Sequence, residues 1–269
     1  MTTRRDLLKA AALGAAASLA PAWAPRREKI KLGVASYSLR KFKRPQAIEM
    51  VKACGTPYVN IKSFHLPYEL SPAELAAGRK EFDDAGLQVV GSGNNSIKNE
   101  KEIEALFEYA KLARFDLLVI APTPAILPAV EAAVKKTGIR VAIHNHGPED
   151  RQFPAPSDAL KLIKDMDPRV GLCVDVGHTT RTGKDVVREI ADAGPRVLDL
   201  HMKDLKDLMN KNTQVPVGDG AMPVAEIFKQ LVKMKFEGYA NLEYEIDADD
   251  PLPGMKKSFA FMRRVLGEV

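Results

Sequence analysis

Residues 139–147 read IRVAIHNHG, residues 157–164 read SDALKLIK, and residues 170–178 read VGLCVDVGH. The first and third blocks each open on a short apolar run, as a buried strand does. The middle block reads as a helix. Nothing between them has the two-residue signature of a hairpin, so this unit predicts parallel strands joined by a helical crossover. Both strand-like runs end in groups that carry chemistry: His144 and His146 after the first, Asp175 and His178 after the second.

The same alternation continues in both directions. Strands are expected at 30–35, 58–61, 87–90, 117–120, 139–143, 170–174, 196–200 and 239–244. Helices are expected at 45–53, 71–85, 100–113, up to 136, then at 157–164, 184–193, 224–235 and 255–266. Ser71 is placed to cap the second helix, with Pro72 in its first turn and Gly86 closing it. Eight strands and eight helices in strict alternation predict a single α/β domain, a closed (β/α)8 barrel of the TIM type spanning 25–269. A doubly wound open sheet is the competitor. Its glycine-rich phosphate turn is missing, because Gly91-Ser92-Gly93 follows a strand with no third glycine opening a helix.

The first 24 residues read differently. Arg4-Arg5 precede an Ala-rich apolar stretch from Leu7 to Ala20, and Pro21-Ala22-Trp23-Ala24 follow. The segment 1–24 resembles a twin-arginine export signal, which implies passage through the twin-arginine machinery and a periplasmic or otherwise exported protein. No later run offers the roughly 20 apolar residues of a membrane span. The formal net charge is +5, and without Arg4, Arg5, Lys9 and Asp6 of the leader it is +3. That mild excess forms no Lys/Arg block and gives no electrostatic case for nucleic acid. Two cysteines, Cys54 and Cys173, exclude a disulfide framework and a cysteine-based structural zinc site. Cys173 itself reads as a small core residue.

The five histidines, His65, His144, His146, His178 and His201, all fall at or just past the end of an expected strand. In a parallel barrel these ends share one face, where active sites sit. Carboxylates join them: Asp175, His201 and Glu243 stand at three successive strand ends. Strand periodicity lets Glu243 and Glu245 face the same way, and likewise His144 and His146. A mixed His/Asp/Glu set without thiolates suits a divalent ion, Mn2+, Mg2+, Co2+ or Zn2+, with a lean toward the harder ions. Lys62 and Lys203, at the mouths of the second and seventh strands, are candidates for binding substrate oxygens or for plain solvation. Gly218-Asp219-Gly220 reads either as backbone N–H groups offered to a ligand or as a plain turn.

From Lys29 onward the chain resembles the xylose-isomerase-like barrels, the sugar phosphate isomerase/epimerase superfamily that also includes ketose epimerases, inosose dehydratases and apurinic endonucleases. The residues that carry the resemblance are Asp175-Val-Gly-His178, His201-Met-Lys203-Asp204, Val217-Gly-Asp-Gly220 and Gly238-Tyr-Ala-Asn-Leu-Glu243. It implies a single divalent ion held by Asp175, His201 and Glu243, with His178 near the metal or substrate. The family pattern Glu-Asn-His after strand five is here His144-Asn145-His146, so His144 stands at the fourth ligand position, with Glu149 and Asp150 as alternatives. The resemblance implies isomerisation or epimerisation of a sugar or polyol through an enediolate. Glu243, Glu245, His178 and His144 are the acid–base candidates, and His65, His146, Lys62 and Lys203 the substrate-binding candidates. Elimination, as in a lyase or dehydratase, or cleavage of a keto-glycoside, follows from the same enediolate if a leaving group stands beside it. A phosphodiesterase of the endonuclease kind would need a richer metal shell, and a non-catalytic sugar-binding barrel would need no proton chemistry. No cluster of arginines stands ready to clamp a phosphate, which favours an unphosphorylated sugar.

Overall fold

A computed structural model describes residues 29–269; the expected export segment, 1–24, lies outside the described residues. Eight parallel strands close into a barrel: β1 (Lys31–Ala35), β2 (Tyr58–Ile61), β3 (Gln88–Ile97), β4 (Leu117–Pro122), β5 (Arg140–His144), β6 (Val170–Asp175), β7 (Val197–Met202) and β8 (Tyr239–Leu242). Each strand pairs with its neighbours in sequence, and β1 pairs with β8 to close the ring. Nine α-helices lie among the described residues: α1 (Arg44–Ala53), α2 (Pro72–Asp84), α3 (Glu100–Leu112), α4 (Leu127–Thr137), α5 (Pro156–Ile163), α6 (Val176–Arg181), α7 (Val186–Ala193), α8 (Val224–Lys233) and α9 (Leu252–Glu268). None of them is long and apolar enough to cross a membrane.

Local chemistry accounts for the crossovers. Ser71 Oγ accepts from Glu74 N while the Glu74 carboxylate accepts from Ser71 N at 2.8 Å, a reciprocal cap that starts α2 at Pro72. Asp185 caps α7 by accepting from Val187 N and Arg188 N. Val186, Ile190 and Ala193 form the buried stripe of α7. These inner helix faces and the outward strand residues make the main apolar core, to which Ile163, Ile190, Leu231, Phe259 and Met262 belong.

Three elements differ from the expectation. Strand β3 runs on to Ile97, so Gly91 and Gly93 lie inside a strand, not in a turn after one. A Cβ on Gly93 would stand 2.3 Å from Val119 O, so the backbones of β3 and β4 approach where only glycine fits. A ninth helix, α6, starts directly after β6, because Asp175 Oδ1 caps it by accepting from His178 N at 2.7 Å. The last helix begins earlier, at Leu252, with Pro253 in its first turn.

Candidate active site

Strand register brings the candidate groups together. Asp175 on β6 pairs with His201 on β7, His144 on β5 pairs with Cys173 on β6, and Glu243 follows directly after β8. His144, Asp175, His201 and Glu243 are all buried, and their donor atoms lie within 4.8 Å of one another. His144 Nε2 stands 3.0 Å from His201 Nδ1, which is 3.1 Å from Glu243 Oε2. Asp175 has two jobs: Oδ1 caps α6, and Oδ2 turns to the cluster, 3.6 Å from His144 Nε2. Asn145, the residue after β5, supports it, accepting from Asp175 N at 3.0 Å and donating to Thr179 Oγ1. The alternative ligands Glu149 and Asp150 turn elsewhere, Glu149 to Arg181 and Asp150 to His146 Nδ1 at 3.3 Å.

Lys203 is neither solvated nor free to reach a substrate. Its Nζ lies 2.9 Å from Asp175 Oδ2, 3.0 Å from Glu243 Oε2 and 3.0 Å from Glu245 Oε1. It reaches them because β6 leads into Gly177: a Cβ there would stand 2.7 Å from Lys203 Cγ. Glu243 and Glu245 thus do face one point. Their backbones are fixed by Gln214, which donates to Glu243 O and accepts from Glu245 N.

The electrostatics follow from burial and these contacts. Burial pushes His144 down to about 3 and His178 to about 4, so both imidazoles are neutral near pH 7. Despite burial, Glu243 holds His201 above its ordinary value. Burial also opposes charge on Asp175 and Glu243, yet Lys203 holds Asp175 ionised, and His201 and Lys203 hold Glu243 ionised. Against its burial, Lys203 is kept charged by Asp175, Glu243 and Glu245. The Glu245 carboxyl is raised, by burial first and then by the negative charge of Glu243 and Asp175, with Lys203 opposing.

These residues fit a divalent cation on three counts. Two imidazoles and two carboxylates are a donor set for such an ion. His144 Nε2 and His201 Nδ1 face each other at 3.0 Å, where only one of them can carry the hydrogen. Three carboxylates outnumber the Lys203 ammonium and the His201 imidazole that face them, so negative charge is left uncompensated in a largely buried place.

Around this centre the remaining candidates divide. His178 stands beside the cluster, with Nδ1 accepting from Arg181 Nη1 at 3.0 Å. His146 lies above His144, ring centroids 4.5 Å apart, and accepts from Asn94 Nδ2 at 2.8 Å. Lys62 donates to Asn94 O, and burial lowers its pKa. His65 corrects the expectation of a substrate contact. Its ring is buried, with Nδ1 on Ser36 Oγ at 3.0 Å and Nε2 near Leu39 O and Phe42 O, so it braces the turn after β1. The Gly218–Gly220 turn offers its N–H groups to no ligand: Gly218 N and Gly220 N both donate to Asp204 Oδ2.

Beneath the cluster lies a layer that the sequence reading did not single out. Asp199 Oδ1 accepts from Asn241 Nδ2 at 2.8 Å, Cys173 Sγ is 3.6 Å from Asp199 Oδ2, and burial pushes Asp199 up to about 7. Each of these residues stands two positions before a cluster residue, so strand periodicity applied to Asp175, His201 and Glu243 would have found all three.

The sequence profile of the xylose isomerase-like TIM barrel family matches residues 125–265, and the chain belongs to that family. No curated protein gives a match. Among solved structures, an uncharacterised protein from Parabacteroides distasonis is similar at 25% identity and TM-score 0.69, over 88% of this chain and 99% of that one. The 3-keto-D-glucoside 4-epimerase of E. coli is similar at 18% identity and TM-score 0.70, over 87% of this chain and 99% of that one. An L-ribulose 3-epimerase is similar at 15% identity and TM-score 0.72, over 89% of this chain and 95% of that one. The similar structures also include a protein from Bacillus anthracis described as a probable 3-DHS dehydratase. At such identities the likeness to the named enzymes is one of fold.

Proposed function

We propose that this member of the family is a divalent-metal-dependent enzyme that moves a proton at the carbon beside a carbonyl of a sugar or polyol, an isomerase or epimerase. The observation that carries this reading is the convergence of His144, Asp175, His201 and Glu243 donor atoms within 4.8 Å at the C-terminal end of the barrel. A divalent ion bound there supplies Lewis acidity, which lowers the cost of negative charge on the substrate oxygens as the proton leaves.

The chain's own residues supply the rest. His144 is neutral and so available as a donor. Glu243 is held ionised and fixed in direction by His201 and Lys203. Glu245, with its carboxyl raised and its Oε1 on Lys203, is the better proton carrier, since a pKa nearer the working pH serves both removal and return. Neutral His178, whose Nδ1 is taken by Arg181, carries its hydrogen on Nε2 and stands at the side as a donor. Arg40 and Arg181 are committed, Arg40 to Glu245 O and Arg181 to Glu149 and His178, which supports a sugar without phosphate. Arg4-Arg5 and the apolar stretch after them support export by the twin-arginine machinery and a periplasmic site of action.

A specific observation favours a second reading. With His144 in place of a carboxylate, both acid–base carboxylates, Glu243 and Glu245, come from the end of β8. Such a one-sided set suits return of the proton on the same face, as in isomerisation, or loss of a β-leaving group, as in a lyase or dehydratase. The test is solvent exchange: Mn2+-loaded protein in deuterated water with free ketoses, aldoses and 3-keto-glycosides. The expected result is deuterium at the carbon beside the carbonyl, abolished by EDTA. Exchange that survives EDTA, or metal-loaded protein that exchanges none of these substrates, would overturn the proposal.

A further inference from the structure

The layer beneath the cluster bears on which ion the site takes, an inference that rests on the divalent-ion reading above. Cys173 is the register partner of His144 and stands two residues before Asp175 on the same inward face of β6. The donor atoms of His144, Cys173 and His201, all buried, lie within 4.8 Å of one another. A tetrahedral ion bonded to sulfur and nitrogen holds them about 3.5 Å apart, so small side-chain rotations close the set. Two ring nitrogens of the same residues, His144 Nδ1 and His201 Nε2, are buried with no hydrogen-bond partner. The thiol does more than fill space among Leu117, Val119 and Ala142, because its sulfur faces the Asp199 carboxylate.

We propose that the barrel floor carries a second donor set, Cys173 with His144 and His201, through which the site takes a thiophilic divalent ion such as Zn2+ or Co2+. Thiolate and imidazole together select such ions over Mg2+ and Mn2+, which the carboxylates Asp175 and Glu243 serve. Sharing His144 and His201 makes the two sets alternatives for one ion. On binding, the S–H bond breaks and sulfur keeps the electron pair as the ligand. The proton leaves along the contact to Asp199 Oδ2, 3.6 Å away.

The test uses Co2+ as a spectroscopic probe on the metal-free protein. The expected result is a sulfur-to-cobalt charge-transfer band in the near ultraviolet, lost in Cys173→Ala and kept in Cys54→Ala. Losing even a residue that only supports a metal ligand costs roughly 10–100-fold in affinity, so Cys173→Ala should weaken Zn2+ binding at least about tenfold and change Mn2+ binding by less than about twofold. Co2+ bound with visible bands but no charge-transfer band overturns the thiol donor and leaves the divalent-ion reading standing. Failure to bind Co2+, Zn2+ or Mn2+ at all overturns both. If Cys173→Ala does not fold, the unmutated protein's band decides alone.

Discussion

Replacing Lys203 by methionine tests the charge structure of the site. The ammonium is buried, and its three carboxylate partners lie at 2.9, 3.0 and 3.0 Å. Methionine keeps much of the side-chain length and removes the charge, so Asp175 and Glu243 remain as buried carboxylates without their cation. Removing one partner of a buried ion pair costs about 3–5 kcal/mol, most of it the penalty of the charge left behind. For a domain of this size each kcal/mol lowers Tm by roughly 2–4 °C, so calorimetry on metal-free protein should show a fall of about 6–20 °C. Saturating Mn2+ should then narrow the gap between variant and parent, because the ammonium lies against the same Asp175 and Glu243 oxygens that would hold the ion. A metal-free Tm equal to the parent's would refute the claim that Lys203 is the internal counter-ion. A gap that Mn2+ leaves unchanged would refute the claim that ion and ammonium share those oxygens.

Two further outcomes are expected. Burial holds His144 at about 3 and His178 at about 4, and lowers His65 as well, whereas each takes up a proton near pH 6.5 when unfolded. The unfolded chain therefore binds more protons below that pH, so this stability is complete above about pH 6.5 and is lost as pH falls toward 4. His201, held above its ordinary value, contributes stability that is complete below about pH 6.5 and is lost only above it, and Asp199, held at about 7, gains stability as pH falls through the window, but three histidines outweigh that one carboxyl. The Tm of metal-free protein should fall between pH 7 and pH 5, and a flat profile there would contradict the buried neutral histidines. His144→Glu should keep Mn2+ bound and leave the loss of affinity between pH 7.5 and 5.5 close to the parent's, because His144, held at about 3, takes no proton there and the loss belongs to His201, held above its ordinary value; isotherms at the two pH values check this, and a flattened slope would contradict the neutral His144.

The barrel was legible because its strands are short buried runs separated by capped helices, and those signals are local. Ser71, Pro72 and Gly86 bound α2 as their chemistry requires. The sequence reads short at β3 because residues 91–96 are glycine, serine and asparagine, poor strand formers that pairing with β4 holds extended. Helix α6 is too short to show a helical period, and in sequence an Asp that caps a helix looks the same as an Asp at a strand end. The site was legible in part for the same reason. Strand ends and strand periodicity brought His144, Asp175, His201 and Glu243 to one face. Where a long or turn-borne side chain points depends on distant residues: Ser36, Leu39 and Phe42 take His65 out of the site, and the gap at Gly177 lets Lys203 into it.

The measurement that bears most directly on the central claim is Mn2+ binding at equilibrium, by dialysis and elemental analysis, for the parent and for Asp175→Asn combined with Glu243→Gln. With four donors converging on one point, the parent should bind about one ion per chain. The double variant keeps both imidazoles and loses both anionic donors, so it should bind none at the concentration that saturates the parent. A parent that binds no divalent ion, or a double variant that binds as the parent does, would contradict the account.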